Sequence, residues 1–298
     1  MAGSRRPFGL AAPLGSWRPL DRWVVGYALA TLPFLGYGWL RGHPGCAAQA
    51  GVNALVIAGC LLIARWSRDT AAVVPTVLRL FYAPIIYWCF YHQVQTLWPL
   101  FHTLPLDGHL ARADQALFGC QPSLAWRAAL PQRWLSEIFC FAYLVYYFFT
   151  PIVGFTALLR SGYAAAERVI LAATACFFVC YALFWMFPTV GPHFWFPPAQ
   201  GPRLYDGYVF NHALFFFTRG GEIRGGAFPS SHIAVATLFT LWARREVKAL
   251  FAPLAVVTAV MLPAVVYLRA HYLVDVPAGL LVGAVAYWAS ARTLAASR

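Results

Sequence analysis

Two stretches near the C-terminal end gather the residue types that could do chemistry. They are Gly225-Gly226-Ala227-Phe228-Pro229-Ser230-Ser231-His232 and Tyr267-Leu268-Arg269-Ala270-His271-Tyr272-Leu273-Val274-Asp275. Two histidines and one carboxylate, with hydroxyls and arginines beside them, are a kit for phosphoryl chemistry. Each stretch adjoins a long apolar segment, where polar and ionisable groups are costly and are functional candidates by default.

The first stretch reads as a helix start. Ser230 or Ser231 can cap it, and the free N–H groups of a first turn, together with the helix dipole, attract phosphate. Gly225 and Gly226 would let the backbone approach a ligand closely. In the second stretch His271 and Asp275 stand four apart and share a helix face. A carboxylate on one imidazole nitrogen fixes the tautomer and leaves the other nitrogen free to attack. Taken singly, each stretch also fits a plain structural role, as a capped helix with a satisfied histidine or a His–Asp pair closing a helix end.

The elements that must position these groups cross a membrane. Of 298 residues, 61% are hydrophobic and only 11% charged, against about a quarter charged in ordinary soluble domains. Residues 138–159 and 169–191 carry no charge, and 23–40 and 249–268 are similar; about 20 such residues cross a bilayer. The expected class is an all-α polytopic transmembrane bundle of six to eight helices, with short interfacial helices. Residues 1–21 read as a cytosolic tail and 22–298 as one transmembrane domain. The net charge of +12 comes from cations scattered singly between apolar segments, a pattern suited to anionic headgroups and not to nucleic acid. None of the seven cysteines forms a metal-ligand pattern with histidine, so no metal or other cofactor is expected.

In chain order, helices are expected at about 23–40, 47–64, within 71–101, at 138–159 and 169–191, from Pro229 or Ser230 to Trp242, at 249–268, and from Tyr272 to Ala291. Arg79 is expected to snorkel to the cytosolic interface; Gln93 and Gln95 must face protein or water. Residues 103–135 are too polar to span and fit helices lying on the membrane surface. The loop 192–228, dense in Gly, Pro and aromatics, is long enough to be functional. With eight crossings and a cytosolic N-terminus, thirteen cations fall inside and eight outside. The inner ones cluster in short loops, where the positive-inside rule has most force. Two crossings then separate His232 from His271, so both lie on the extracytoplasmic side.

At this point the residues resemble a family. Gly-Gly-x-Phe-Pro-Ser-x-His at Gly225–His232, followed by Tyr-Leu-x-x-His-Tyr-x-x-Asp-x-x-x-Gly at Tyr267–Gly279, is similar to the type 2 phosphatidic acid phosphatase superfamily. Asp114-Gln115-Ala116-Leu117-Phe118-Gly119 and Phe187-Pro188-Thr189-Val190-Gly191-Pro192 resemble its inositol phosphorylceramide synthase (inositolphosphotransferase) branch. The resemblance covers roughly residues 75–290. The superfamily's first motif has no match, and the usual Arg of the third would fall at Val265; the phosphotransferase branch similarly lacks that Arg.

The resemblance implies a metal-independent displacement. His271 attacks the phosphoryl group, Asp275 holds its imidazole, His232 protonates the leaving oxygen, and water or an alcohol then takes the phosphoryl group from phosphohistidine. Substrate binding is expected from Ser230, Ser231, Gly226, Arg269, Arg224 and Arg219. The partners are a membrane lipid phosphate or phosphodiester and the bilayer itself. Hydrolase and headgroup phosphotransferase share every motif residue. A transporter would instead show symmetry between its halves, whereas the polar constellation lies wholly in the second half.

Overall fold

A computed structural model describes residues 14–15, 17–70, 72–196, 207–218 and 223–295. Among them are thirteen α-helices and no strand: α1 Pro19–Leu40, α2 Cys46–Ser67, α3 Val73–Leu97, α4 Asp107–Phe118, α5 Pro122–Ala129, α6 Arg133–Tyr146, α7 Phe149–Ser161, α8 Tyr163–Met186, α9 Pro192–Trp195, α10 Phe210–Thr218, α11 Ser231–Glu246, α12 Lys248–Tyr267 and α13 Asp275–Ala295. Five of these (α1, α2, α3 with its short extension, α8 and α12) are long and apolar enough to cross a membrane. The protein is an all-α polytopic helical bundle. Most of residues 1–21, and Arg219, lie outside the described residues.

The apolar run at 138–159 is not one straight helix. It breaks into α6 and α7, bent by 49° between Tyr146 and Phe149, and the pair counts as a sixth candidate span. Pro151 falls in the first turn of α7, where the missing N–H costs nothing. α11, with 16 residues, is short for a span. It is sheathed by α8, α12 and α13, and Ile233, Ala234, Val235, Leu238 and Phe239 are buried against them.

Two polar clusters mark opposite ends of the bundle. At one end the starts of α1, α3 and α8 meet. Asp21, in the first turn of α1, accepts from Arg79 Nη2 at 2.5 Å and from Tyr82 Oη at 2.9 Å, and Arg18 pairs with Glu167. Arg79 therefore does not snorkel. It is fully buried, and its Nη1 also donates to the Gly15 carbonyl at 2.6 Å and to Ser67 Oγ at 3.1 Å. A buried guanidinium is tolerable only when paired and hydrogen-bonded, and the partner stands 58 residues away in sequence. At the other end α4, the turn after α8, and the starts of α11 and α13 converge.

α11 and α13 approach backbone to backbone. A Cβ built on Gly283 would lie 2.2 Å from the Ala234 carbonyl oxygen, and one on Gly279 would lie 2.6 Å from that of Ser230. This small-xxx-small stripe allows the close helix crossing that bundles in lipid use in place of a hydrophobic drive. It fixes His232 on α11 relative to Asp275 on α13. Replacing Gly283 with Leu forces the helices apart and is expected to cost about 1–3 kcal/mol, read as a lower unfolding temperature in detergent together with lost turnover. A Gly283→Leu protein as stable as the parent would mean that the pair is not in contact.

Candidate active site

The turn between α12 and α13 is built for stiffness. The N–H groups of Ala270 and His271 both donate to the Val265 carbonyl at 3.0 Å, so the helix closes on its own last carbonyls. Arg269 takes the left-handed position such a closure needs, with φ 60°, a conformation that costs a non-glycine residue roughly 1–2 kcal/mol. Its buried guanidinium offsets this by donating to the carbonyls of Pro192 at 3.2 Å and Phe196 at 3.4 Å. His271 leaves this turn pointing inward.

His271 Nε2 lies 3.2 Å from His232 Nδ1. The two rings, one from the first turn of α11 and one from the turn before α13, therefore meet, inclined by 68°. His271 Nδ1 has two oxygens beside it, the Ala227 carbonyl at 2.7 Å and Asp275 Oδ2 at 3.4 Å. A carbonyl oxygen only accepts, so Nδ1 carries the proton, and in the neutral ring Nε2 carries the lone pair. Nε2 then accepts from His232 Nδ1. Asp275 Oδ2 is also held by the backbone N–H of Tyr272 at 2.8 Å. The carboxylate thus shares the orienting of the imidazole with a backbone carbonyl that sequence spacing did not reveal.

α11 begins as its sequence suggests, with the Ser230 hydroxyl accepting from the Ile233 N–H at 3.4 Å. Ser230 is fully buried as the cap, whereas Ser231 faces a cavity of about 440 Å3. Gly226, Ala227, His232 and His271 line the same cavity. From the histidines it runs inward between α3, the α6–α7 bend and α8, past Tyr87, Tyr91, Tyr143, Tyr146, Tyr147 and Tyr181. The His232 ring is packed among Tyr143, Tyr146 and Tyr147, with centroids 4.7, 4.9 and 6.1 Å away. Two deep hydroxyls are satisfied within the wall, Tyr87 on Thr174 Oγ1 at 2.8 Å and Tyr181 on the Tyr87 carbonyl at 3.2 Å. The wall is therefore aromatic, with these two hydroxyls satisfied within it.

The expected phosphate ligands are placed unequally. Arg224 is exposed, with its guanidinium over the ring of Phe194 at 5.3 Å, and Phe194 lines the cavity; Arg224 thus stands at the rim. Arg269 is turned toward the Pro192–Phe196 backbone. Gly225 does not make room for a ligand. With φ 126°, its missing Cβ would lie 2.4 Å from the Trp98 ring, and Trp98 Nε1 donates to the Arg224 carbonyl at 2.9 Å.

α4 is one of the expected short helices, and it is also tied to the site. Its Asp107 accepts from the N–H groups of Val190 at 2.7 Å and Gly191 at 2.8 Å and from Tyr272 Oη at 2.8 Å. Asp114 accepts from Leu273 and Val274 N–H, both at 3.0 Å. Both carboxylates are fully buried, and burial pushes them above the usual carboxylate range against the pull of these donors. The available signal was two carboxylates seven residues apart in a segment too polar to span. Among the described residues no group of three or more His, Cys, Asp or Glu is arranged to hold a metal ion.

A family model described as the PAP2 superfamily matches residues 108–289, more than half of the chain and including both histidine loops. The chain belongs to the PAP2 superfamily. No curated protein and no solved structure matches it. PAP2 membership brings a phosphatase or phosphotransferase kind of function to the site. α1–α3 lie outside the matched span, although α3 supplies one wall of the cavity.

The setting of Arg269 can be tested. Arg269→Ala removes two buried charge-assisted bonds to carbonyls, expected to cost about 1–3 kcal/mol of stability, while orthovanadate or inorganic phosphate should still raise the unfolding temperature by as much as in the parent. If that ligand-induced rise disappears in Arg269→Ala, the guanidinium holds the phosphate itself.

Proposed function

We propose that this protein is a lipid phosphatase or lipid phosphotransferase that works through a phosphohistidine on His271 at an extracytoplasmic site. The observation that carries the reading is the Nε2 lone pair of His271 facing His232 Nδ1 at 3.2 Å, on the wall of a cavity sunk into the bundle.

The His232 ring first swings off Nε2 so that the phosphoryl group enters between the two nitrogens, with the leaving oxygen on the far side of phosphorus. The lone pair on Nε2 then attacks phosphorus and forms the N–P bond as the bond to the leaving oxygen breaks. His232 gives that oxygen its Nδ1 proton. A neutral imidazole has no proton to spare, so this step uses the His232 imidazolium, which the anionic phosphate favours. The neutral His232 so produced then takes a proton from water or an alcohol as that oxygen attacks the phosphohistidine. His271 departs with its lone pair restored, and His232 is an imidazolium again. The positive Nδ1–H of the phosphorylated imidazole is stabilised by the Ala227 carbonyl and Asp275.

The phosphate sits over the start of α11, held by the Ser231 hydroxyl and the first-turn N–H groups, with Arg224 supplying charge from the rim. Apolar tails lie in the bilayer and against the aromatic walls. Those walls favour an alcohol acceptor, since an apolar-walled cavity filled by a second lipid or a headgroup holds little free water. Phosphotransfer of the inositol phosphorylceramide synthase type is therefore the second reading.

Short cationic loops at the Arg79 end of the bundle support an extracytoplasmic histidine site. A cysteine introduced beside Arg269 should label from outside intact cells, and one beside Arg245 should not; the reverse pattern overturns the sidedness.

Turnover is the direct test. Purified protein incubated with labelled lipid phosphates and phosphodiesters, with and without candidate alcohols, should release phosphate or a transferred headgroup, and should do so in chelator. His271→Ala and His232→Ala should each abolish this while the protein stays folded, and the double variant should lose little more, because nucleophile and acid act as a unit. Near-normal turnover by folded His271→Ala rules out the phosphohistidine route.

A further inference from the structure

The turn Pro188–Pro192 and the carboxylate of Asp107 take no part in the steps above, yet they lie between the two histidine loops. A carbonyl can dictate a tautomer only if it is itself held still. Ala227 is held on both sides. Its own N–H donates to the Thr189 carbonyl at 3.1 Å, and the next N–H, that of Phe228, donates to Thr189 Oγ1 at 2.8 Å. Thr189 is held in turn, because the two following N–H groups, Val190 and Gly191, both end on Asp107.

The same Asp107 oxygen that receives Gly191 also receives the hydroxyl of Tyr272, the residue after His271. The bonds therefore close into a ring, from Asp107 through the turn to Thr189, Ala227, His271 and Tyr272, and back to Asp107. Its polar members are shielded from water, with Asp107 and Tyr272 0%, Thr189 1% and His271 2% exposed. The turn also runs against both loops. A Cβ on Gly191, whose φ is 88°, would lie 3.1 Å from the Ala270 carbonyl and 3.3 Å from Ala227 Cβ.

We propose that Thr189 and Asp107 are positioning residues for His271, fixing its Nδ1–H tautomer through the Ala227 carbonyl so that Nε2 is the attacking nitrogen. The proposal rests on the two-histidine reading of the site. Geometry set at this distance governs rate more than affinity, since small misplacements of a nucleophile cost one to two orders of magnitude.

The test uses Thr189→Val, which keeps the shape and removes the hydroxyl, beside Thr189→Ser, which keeps the hydroxyl. With p-nitrophenyl phosphate or the best lipid phosphate, Thr189→Val should lose about 10- to 100-fold in kcat with KM within about twofold, and Thr189→Ser should recover most of it. Ring 15N shifts of His271 in the full-length protein should show the Nδ1–H form in the parent and in Thr189→Ser, and a mixture in Thr189→Val. Tyr272→Phe, which cuts the ring at its other side, should give the same two signatures and carries the test if Thr189→Val does not fold. Unchanged tautomer and kcat in a folded Thr189→Val protein overturn the proposal, as does an equal loss in the Ser variant. The nitrogen shifts need no turnover, so an inactive parent with a fixed Nδ1–H tautomer counts against the proposed reaction and leaves the positioning role standing.

Discussion

The hydrogen bond from His271 Nδ1 to the Ala227 carbonyl, 2.7 Å long, is the contact on which the rest of the structure converges. It joins the segment before α11 to the turn before α13, and each half needs a different scaffold. One side requires the left-handed closure of α12 at Arg269. The other requires Thr189 and the turn after α8. Neither loop is stiff by its own sequence. Both become stiff because their N–H groups end on Thr189 after α8, on the Val265 carbonyl of α12, and on Asp114 of α4.

The bilayer makes that commitment necessary. With no water in the core to satisfy stray polar groups, several polar residues of the bundle pair with one another inside it. At mid-height Asn53 donates to the Ala28 carbonyl at 2.8 Å and to Thr31 Oγ1 at 2.7 Å, and Gln93 donates to Asn53 Oδ1 at 2.8 Å. Thr240 and Thr258 pair at 2.9 Å. The Asp21–Arg79 cluster does the same at the far end. These contacts are structural, and they explain why polar residues inside a spanning helix are not all functional. What separates the histidine pair from them is the cavity it faces.

How much could be read from the sequence follows from the range of each interaction. Apolar runs report burial directly, so the all-α membrane bundle and most helix bounds were legible. His271 with Asp275, and Ser230 as a cap, are local patterns of three or four residues and were legible too. Parity of the crossings brought His232 and His271 to one side without any tertiary information. The Ala227 carbonyl was not legible, because a backbone atom carries no residue signature. Asp107 and Asp114 were hidden for another reason. Their partners are backbone N–H groups far along the chain, and a carboxylate in a polar amphipathic stretch looks like one facing headgroups. Arg79 was misread in the same way, its partner being a single Asp two helices earlier. The 49° break in the α6–α7 run left no mark in hydropathy, since the residues on both sides are equally apolar.

The glycine stripe on α13 has a mechanical consequence. Two helices in backbone contact behave as one stiff rod, with no side chains between them to flex. His232 and Asp275 stand at the head of that rod, and the α12 turn that carries His271 is laced to it. Backbone motion therefore does not part these groups, and room for a phosphoryl group between the two rings comes from side-chain rotation. The opposite side of the chamber is different, because there α3, α8 and the bent α6–α7 pair face the cavity with tyrosine side chains. The rod is the anvil of the chamber, and the wall facing it lies partly outside the matched family span.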